Sequence, residues 1–289
     1  MKRLCNALLL VVIGACGLAQ ESAAPSVAIP LIATDSHHRP VSVTVESLII
    51  KDQKTLITGA SLVRGVDLPV ELGILIDTSG SQRSRDLTEF LNAAKQLASE
   101  IIRGPEDRVF VLKFSATPVA TEWLKGGQLP DTAVHGTGGG TALYDAVVMA
   151  CKERMGVRNW HKPTRRILVL LSDGEDNLSH ATHNEAASEA LKAGVVIFAI
   201  DTDPSGLSYR GVKIMQNLAG VTGGEYFSPN NENDVNKAFT SIRDMTEGMY
   251  CLRYVPPDAS KRAIHEVEVK AAPKETFKLS YASKYLWNP

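Results

Sequence analysis

Three short stretches of this 289-residue chain concentrate oxygen chemistry. Asp77-Thr78-Ser79-Gly80-Ser81 ends an apolar run that starts at Val70. Gly136-Thr137-Gly138-Gly139-Gly140-Thr141 precedes a helical pattern. Ser172-Asp173-Gly174-Glu175-Asp176 ends a second apolar run that starts at Ile167. An acid at the end of a buried strand costs desolvation unless something positive meets it. Two such acids, Asp77 and Asp173, with the hydroxyls of Ser79, Ser81 and Thr141, make a hard, all-oxygen donor set. Such donors suit Mg²⁺, Mn²⁺ or Ca²⁺ rather than zinc. Each hydroxyl also has a plainer reading as a turn residue or helix cap. Independent caps, however, do not account for two acids at strand ends.

Other arrangements carry less. There is no Gly-x-Ser-x-Gly elbow and no phosphate-binding Gly-x-x-x-x-Gly-Lys-Ser/Thr loop. Ser79 or Ser81 would need a positioned base such as His161, His180 or His183 to act as a nucleophile. His180-x-x-His183 lacks a third zinc ligand and reads as a solvated helix start. Asp201-x-Asp203-x-Ser205-Gly206 opens like a calcium loop, but Val212 stands where a bidentate Glu is needed, so it reads as a strand-exit turn. Glu175 and Asp176 read as solvated loop acids.

The elements that must position these residues alternate between strand and helix. Val70–Ile76, Arg108–Phe114, Ile167–Ser172 and Val195–Ile200 are apolar runs of the kind buried on both faces of a parallel sheet. Residues 84–103 carry Leu87, Phe90, Ala94, Leu97 and Ile101 on one stripe, and 141–155, 181–193, 211–219 and 233–247 are further helices. Short strands are expected at 119–124 and 224–227. The pattern predicts an α/β fold, a doubly wound, Rossmann-like, mostly parallel sheet over 66–248. Ligands of such sheets sit beyond the strand C-termini, where Asp77 and Asp173 lie.

Strand patterns flank this region on both sides. Upstream, Val41, Val43 and Val45 alternate with Ser42 and Thr44, and 48–50 and 55–58 follow. Downstream come 250–255, 265–270 and 276–281. Because domain termini tend to lie together, the flanking strands (20–65 and 249–289) are expected to share one small β unit. Residues 20–35 read as a flexible leader.

The N-terminus reads as a signal peptide over 1–19: Lys2 and Arg3, the apolar run 7–15, then Gly17-Leu18-Ala19. Secretion or periplasmic export follows. The alternative is a lipoprotein, since Ile13-Gly14-Ala15-Cys16 fits a lipid attachment sequence with Cys16 as the anchor. In an oxidising setting Cys151 and Cys251 are either buried thiols or a disulfide. The net charge of −1 provides no field for nucleic acid or acidic lipid.

Asp77-x-Ser79-x-Ser81, the distant Thr141 and the later Asp173 resemble the metal-ion-dependent adhesion site of von Willebrand factor type A (VWA) domains. The stretches LPVELGILIDTSGS, GGGTALYDAV and ILVLLSDGEDNLS, with the tail YCLRYVPPD, resemble more narrowly the secreted bacterial VWFA-related proteins of the Acidobacteria type. Gln82 departs from the Met found in many of these, at a side chain the coordination does not require. The resemblance implies a six-stranded Rossmann-like sheet. It implies a divalent ion, Mg²⁺ or else Mn²⁺ or Ca²⁺, held by Asp77, Ser79, Ser81, Thr141 and Asp173. It implies a protein ligand whose Asp or Glu completes the coordination. The expectation is thus a non-enzymatic binding protein outside the cytoplasm. The alternatives are an envelope or assembly component in which the metal only orders the loops, and a metal-assisted hydrolase.

Overall fold

The computed structural model describes residues 26–82, 87–130, 138–156, 158–159, 162–203 and 209–288. The expected signal segment, Cys16, Gly136 and Thr137 lie outside them. The strands are β1 (Val27–Thr34), β2 (Leu48–Asp52), β3 (Thr55–Leu56), β4 (Ser61–Arg64), β5 (Val70–Asp77), β6 (Arg108–Phe114), β7 (Val119–Ala120), β8 (Arg165–Ser172), β9 (Val195–Asp201), β10 (Tyr226–Phe227), β11 (Met249–Tyr254), β12 (Ala263–Ala271), β13 (Lys278–Tyr281) and β14 (Lys284–Trp287). The helices are α1 (Thr88–Ile101), α2 (Leu143–Val148), α3 (His183–Ala193), α4 (Tyr209–Thr222) and α5 (Glu232–Glu247). A π-helical segment, Met149–Met155, continues α2.

The central sheet has six strands in the order β10-β9-β8-β5-β6-β7, parallel except for the edge strand β7. All eight residues of β5 are buried, as are all seven of β9, which is why both read as unbroken apolar runs. Side chains alternate between two cores. Leu72, Ile74 and Ile76 face α1 and α5, packing with Phe90, Leu97 and Ile242. Leu75 joins Phe110 and Leu170 on the opposite face, against Leu143, Val147, Ala190 and Leu218 of α2, α3 and α4. The chain runs from β5 to β6 on one side and later returns to β8 on the other. The order therefore reverses between β5 and β8, and a crevice opens beyond their C-terminal ends.

The flanking strands build two four-stranded sheets, β13-β1-β11-β4 and β14-β12-β2-β3, each mixing strands from both ends of the chain. Their shared core holds Ile29, Leu31, Ile50, Leu252, Val267 and Trp287. Within it Asp52 is fully buried. Its Oδ1 meets His265 Nδ1 at 2.8 Å, and its Oδ2 accepts hydrogen bonds from the Tyr254 hydroxyl at 2.9 Å and from the Tyr285 hydroxyl. One carboxylate thus ties β2 to β11, β12 and β14.

Two local expectations need correction, and one open choice is decided. The stretch expected to be a flexible leader contains β1, a central strand paired antiparallel with β11 from Val27↔Tyr254 to Ile32↔Met249, and with β13 on its other side. The alternating stretch 41–45 forms no strand. It runs as irregular extended chain into a 3-10 turn, Val45–Ser47, with the Val43 N–H taken by the Tyr250 hydroxyl at 3.2 Å. Cys151 and Cys251 are separate buried thiols, not a disulfide. Among the described residues, no helix is long and apolar enough to cross a membrane.

Candidate metal centre

Asp77 is the last residue of β5 and Asp173 follows the last residue of β8, so adjacent parallel strands deliver both acids to the reversal point. The N–H two residues further on closes each acid into a tight turn. Asp77 Oδ1 accepts from the Ser79 N–H at 2.9 Å, and Asp173 Oδ1 from the Glu175 N–H at 3.1 Å. The Ser79 and Ser81 hydroxyl oxygens lie 3.1 Å apart on the first loop. Neither serine caps α1, which begins at Thr88 behind Leu87. Thr141 is nearly buried and does not cap α2, whose preceding residue is Ala142. The plainer reading of these hydroxyls as helix caps is therefore not met.

Hydrogen bonds fasten the three loops pairwise. The Gly80 N–H donates to Gly139 O at 3.0 Å, joining the first loop to the glycine run. The Thr141 N–H donates to Asn177 Oδ1 at 2.8 Å, and Thr141 O accepts from the Asn177 and Leu178 N–H groups, both at 3.0 Å, joining the glycine run to the third loop. Gln82 Nε2–H donates to Asp173 Oδ2 at 3.2 Å, joining the first loop to the third. Gly140 has a reason to be glycine here: a Cβ on it would stand 2.3 Å from Asn177 Oδ1 and 2.7 Å from the Leu178 side chain. The structure thus brings Asp77, Ser79, Ser81 and Asp173 into one cluster and fixes Thr141 beside it through the backbone.

Several supporting roles were not read from the sequence. The Ser172 hydroxyl donates to Asp77 Oδ2 at 2.7 Å and accepts from the Gly174 N–H at 3.0 Å. Gln82, noted in the sequence only as a departure from Met, is buried. Asp176 is no solvated acid: its Oδ2 accepts from the Tyr144 N–H at 3.0 Å and from the Ser179 hydroxyl at 2.6 Å, which satisfies the start of α2. The strand alignment is the signal that would have found Ser172, since Ile76 pairs with Leu171 and the next positions are Asp77 and Ser172. The Asp201 turn is as expected, with its carboxylate taken by the Asp203 N–H at 2.7 Å and the Tyr226 hydroxyl at 2.8 Å.

Burial pushes Asp77 up from 3.8 to about 6, and the negative charge of Asp173 pushes the same way. The Ser79 and Ser172 hydrogen bonds only partly oppose this. Among the other buried acids, Glu71 meets Arg108 and Arg166 and Asp52 meets His265, whereas Asp201 stands singly at the end of β9 with the Asp203 N–H and the Tyr226 hydroxyl. The described partners of Asp77 and Asp173 are neutral: hydroxyls, an amide and backbone N–H groups. Two adjacent buried carboxylates without a cationic side chain fit a bound cation, and the surrounding hydroxyls fit a hard one.

The family model for the von Willebrand factor type A domain matches residues 71–241, more than half of the sequence. The chain belongs to the VWA domain family. No curated protein matches it. Among solved structures, proximal thread matrix protein 1 of the mussel byssus is 19% identical over 66% of this chain and 49% of that one, with a TM-score of 0.49. The chain thus spans about half the length of that protein. A von Willebrand factor type A protein from Catenulispora acidiphila is 11% identical over 92% of this chain and 74% of that one, at a TM-score of 0.46. The manganese-loaded TRAP protein of Plasmodium vivax is 16% identical over 80% and 97%, at 0.43. The VWA domain here is the six-stranded sheet with its helices, and the two extra β sheets are built from the termini on either side of it.

Proposed function

We propose that this VWA protein binds a protein ligand through a divalent cation held by Asp77, Ser79, Ser81, Thr141 and Asp173. The observation that carries the reading is the pair of buried, adjacent carboxylates whose described partners are all neutral, set among hydroxyls at the sheet's reversal point. Asp77 and Asp173 supply the negative charge, and Ser79, Ser81 and Thr141 supply neutral oxygens. A bound Mg²⁺, or Mn²⁺ or Ca²⁺ in its place, would supply an electrophilic position able to take an Asp or Glu carboxylate from the partner. The rest is done by the chain itself. The pairwise hydrogen bonds hold the loops in register, and Ser172 and Gln82 orient the two acids.

The reading is of a binding protein rather than an enzyme. Among the described residues, no histidine contacts the Ser79 or Ser81 hydroxyls. His180 points its ring at Asp145 from a fully exposed position. The basic-then-apolar start of the sequence supports action outside the cytoplasm, among secreted bacterial VWFA-related proteins, with Cys16 as the alternative lipid anchor.

The test is affinity capture from the native extracytoplasmic fraction in Mg²⁺ and in EDTA, with wild type and Asp77→Ala. A partner retained by wild type in Mg²⁺, and lost both in EDTA and with Asp77→Ala, supports the reading. A partner held equally in all conditions overturns it.

A further inference from the structure

Gln82 closes the 3-10 turn Gly80–Gln82 and is 1% exposed. One end of its amide is committed, because Nε2–H donates to Asp173 Oδ2 at 3.2 Å. The other end is not: Oε1 is buried and accepts no hydrogen bond among the described residues. Turning the amide over would set its oxygen against a carboxylate oxygen, acceptor to acceptor, so the N–H side belongs on Asp173. A buried carbonyl without a donor is costly, and an apolar side chain of the same length would avoid that cost. Packing alone therefore does not account for this glutamine.

A hydrated cation accounts for both ends. Mg²⁺ prefers six oxygens and keeps waters where protein oxygens do not reach. A water in that shell is the kind of donor Oε1 lacks. We infer that Gln82 is a positioning residue of the cation site: it fixes the Asp173 carboxylate from the first loop and offers its unpaired carbonyl oxygen to water bound to the ion. The inference rests on the cation reading above and extends it to a residue outside the five expected ligands. It also makes Gln82, beside the Ser172–Asp77 hydrogen bond, a side chain that couples the first loop to the third.

The experiment is calorimetric titration of Mg²⁺ alone into metal-stripped wild type, Gln82→Met and Asp77→Ala. Partners that orient metal ligands typically change affinity by about 10–100-fold when removed. Gln82→Met is expected to weaken Mg²⁺ binding about tenfold, at the lower end of that range. Mg²⁺ affinity unchanged from wild type in Gln82→Met overturns the inference while leaving the cation site in place. Wild type that takes up no Mg²⁺, or Asp77→Ala that takes it up as well as wild type, overturns the cation reading and the inference with it. Should Gln82→Met not fold, Gln82→Asn is the second variant. It keeps the amide but withdraws it by one methylene from the Asp173 carboxylate that Nε2–H holds, and it is also expected to weaken Mg²⁺ binding. Unchanged binding there overturns the inference.

Discussion

Replacing Asp77 by Asn removes the charge while keeping the size of the side chain and the oxygen that the Ser79 N–H needs. The magnitude follows from the burial of that carboxylate. The group moves from 3.8 in the unfolded chain to about 6 in the fold, because burial disfavours its charged form. The folded protein then binds the proton more tightly than the unfolded chain. The stability linked to it is fully present below pH 3.8 and is lost as pH rises through about 6. At about 1.4 kcal/mol per pH unit, the ionised carboxylate costs the metal-free fold about 3 kcal/mol at neutral pH. For a chain of this size that corresponds to roughly 6 °C in melting temperature. Bound Mg²⁺ would pair with the ionised carboxylate and offset this cost. The assay is thermal unfolding of wild type and Asp77→Asn, in EDTA and in millimolar Mg²⁺, at about pH 5 and about pH 8. In EDTA, the wild type is expected to lose stability relative to Asp77→Asn as pH rises. In Mg²⁺ at the higher pH, the wild type recovers and the variant does not respond. A Mg²⁺ response in Asp77→Asn equal to that of wild type would refute the reasoning. So would a wild-type-to-variant difference that is the same at both pH values.

Two further outcomes follow from the buried groups away from this site. Asp52→Ala strands His265 and two tyrosine hydroxyls in the core of the flanking β unit, and is expected to cost about 3–5 kcal/mol, measured by denaturant unfolding. Its Mg²⁺ response should persist at temperatures where it remains folded. Burial raises both thiols, Cys251 to about 11, so a thiol reagent at neutral pH should label neither Cys151 nor Cys251 in the native protein and both after unfolding. Rapid labelling of the native protein would contradict the packing described around them.

The central sheet was legible because a strand buried on both faces is apolar at every position. β5, β8 and β9 therefore announce themselves locally, and the acids that end them stand out against that background. β1 was not legible. Its sequence, Val-Ala-Ile-Pro-Leu-Ile-Ala-Thr, is interrupted by Pro30, which argues against an interior strand, and its partners lie more than two hundred residues away in β11 and β13. The stretch 41–45 alternates correctly but has no ladder to join: a lone bridge, Thr34↔Pro40, precedes it, and a side-chain hydroxyl takes the Val43 N–H. Periodicity describes a surface and does not supply a partner strand. The proposed ligands Asp77, Ser79, Ser81, Thr141 and Asp173 were named from residue type, order and the family resemblance. The roles of Ser172 and Gln82 were not, because a serine at a strand end and a glutamine in a turn are ordinary until the strand register and the turn geometry bring them against the two acids.

The most direct test of the cation site is anomalous scattering from crystals of the metal-stripped protein soaked in Mn²⁺. The account predicts one strong peak at the β5–β8 reversal point, among the oxygens of Asp77, Ser79, Ser81, Thr141 and Asp173. It also predicts no peak there in Asp77→Ala crystals soaked in the same way. No peak at that position in wild type, or a peak unchanged by Asp77→Ala, would contradict it.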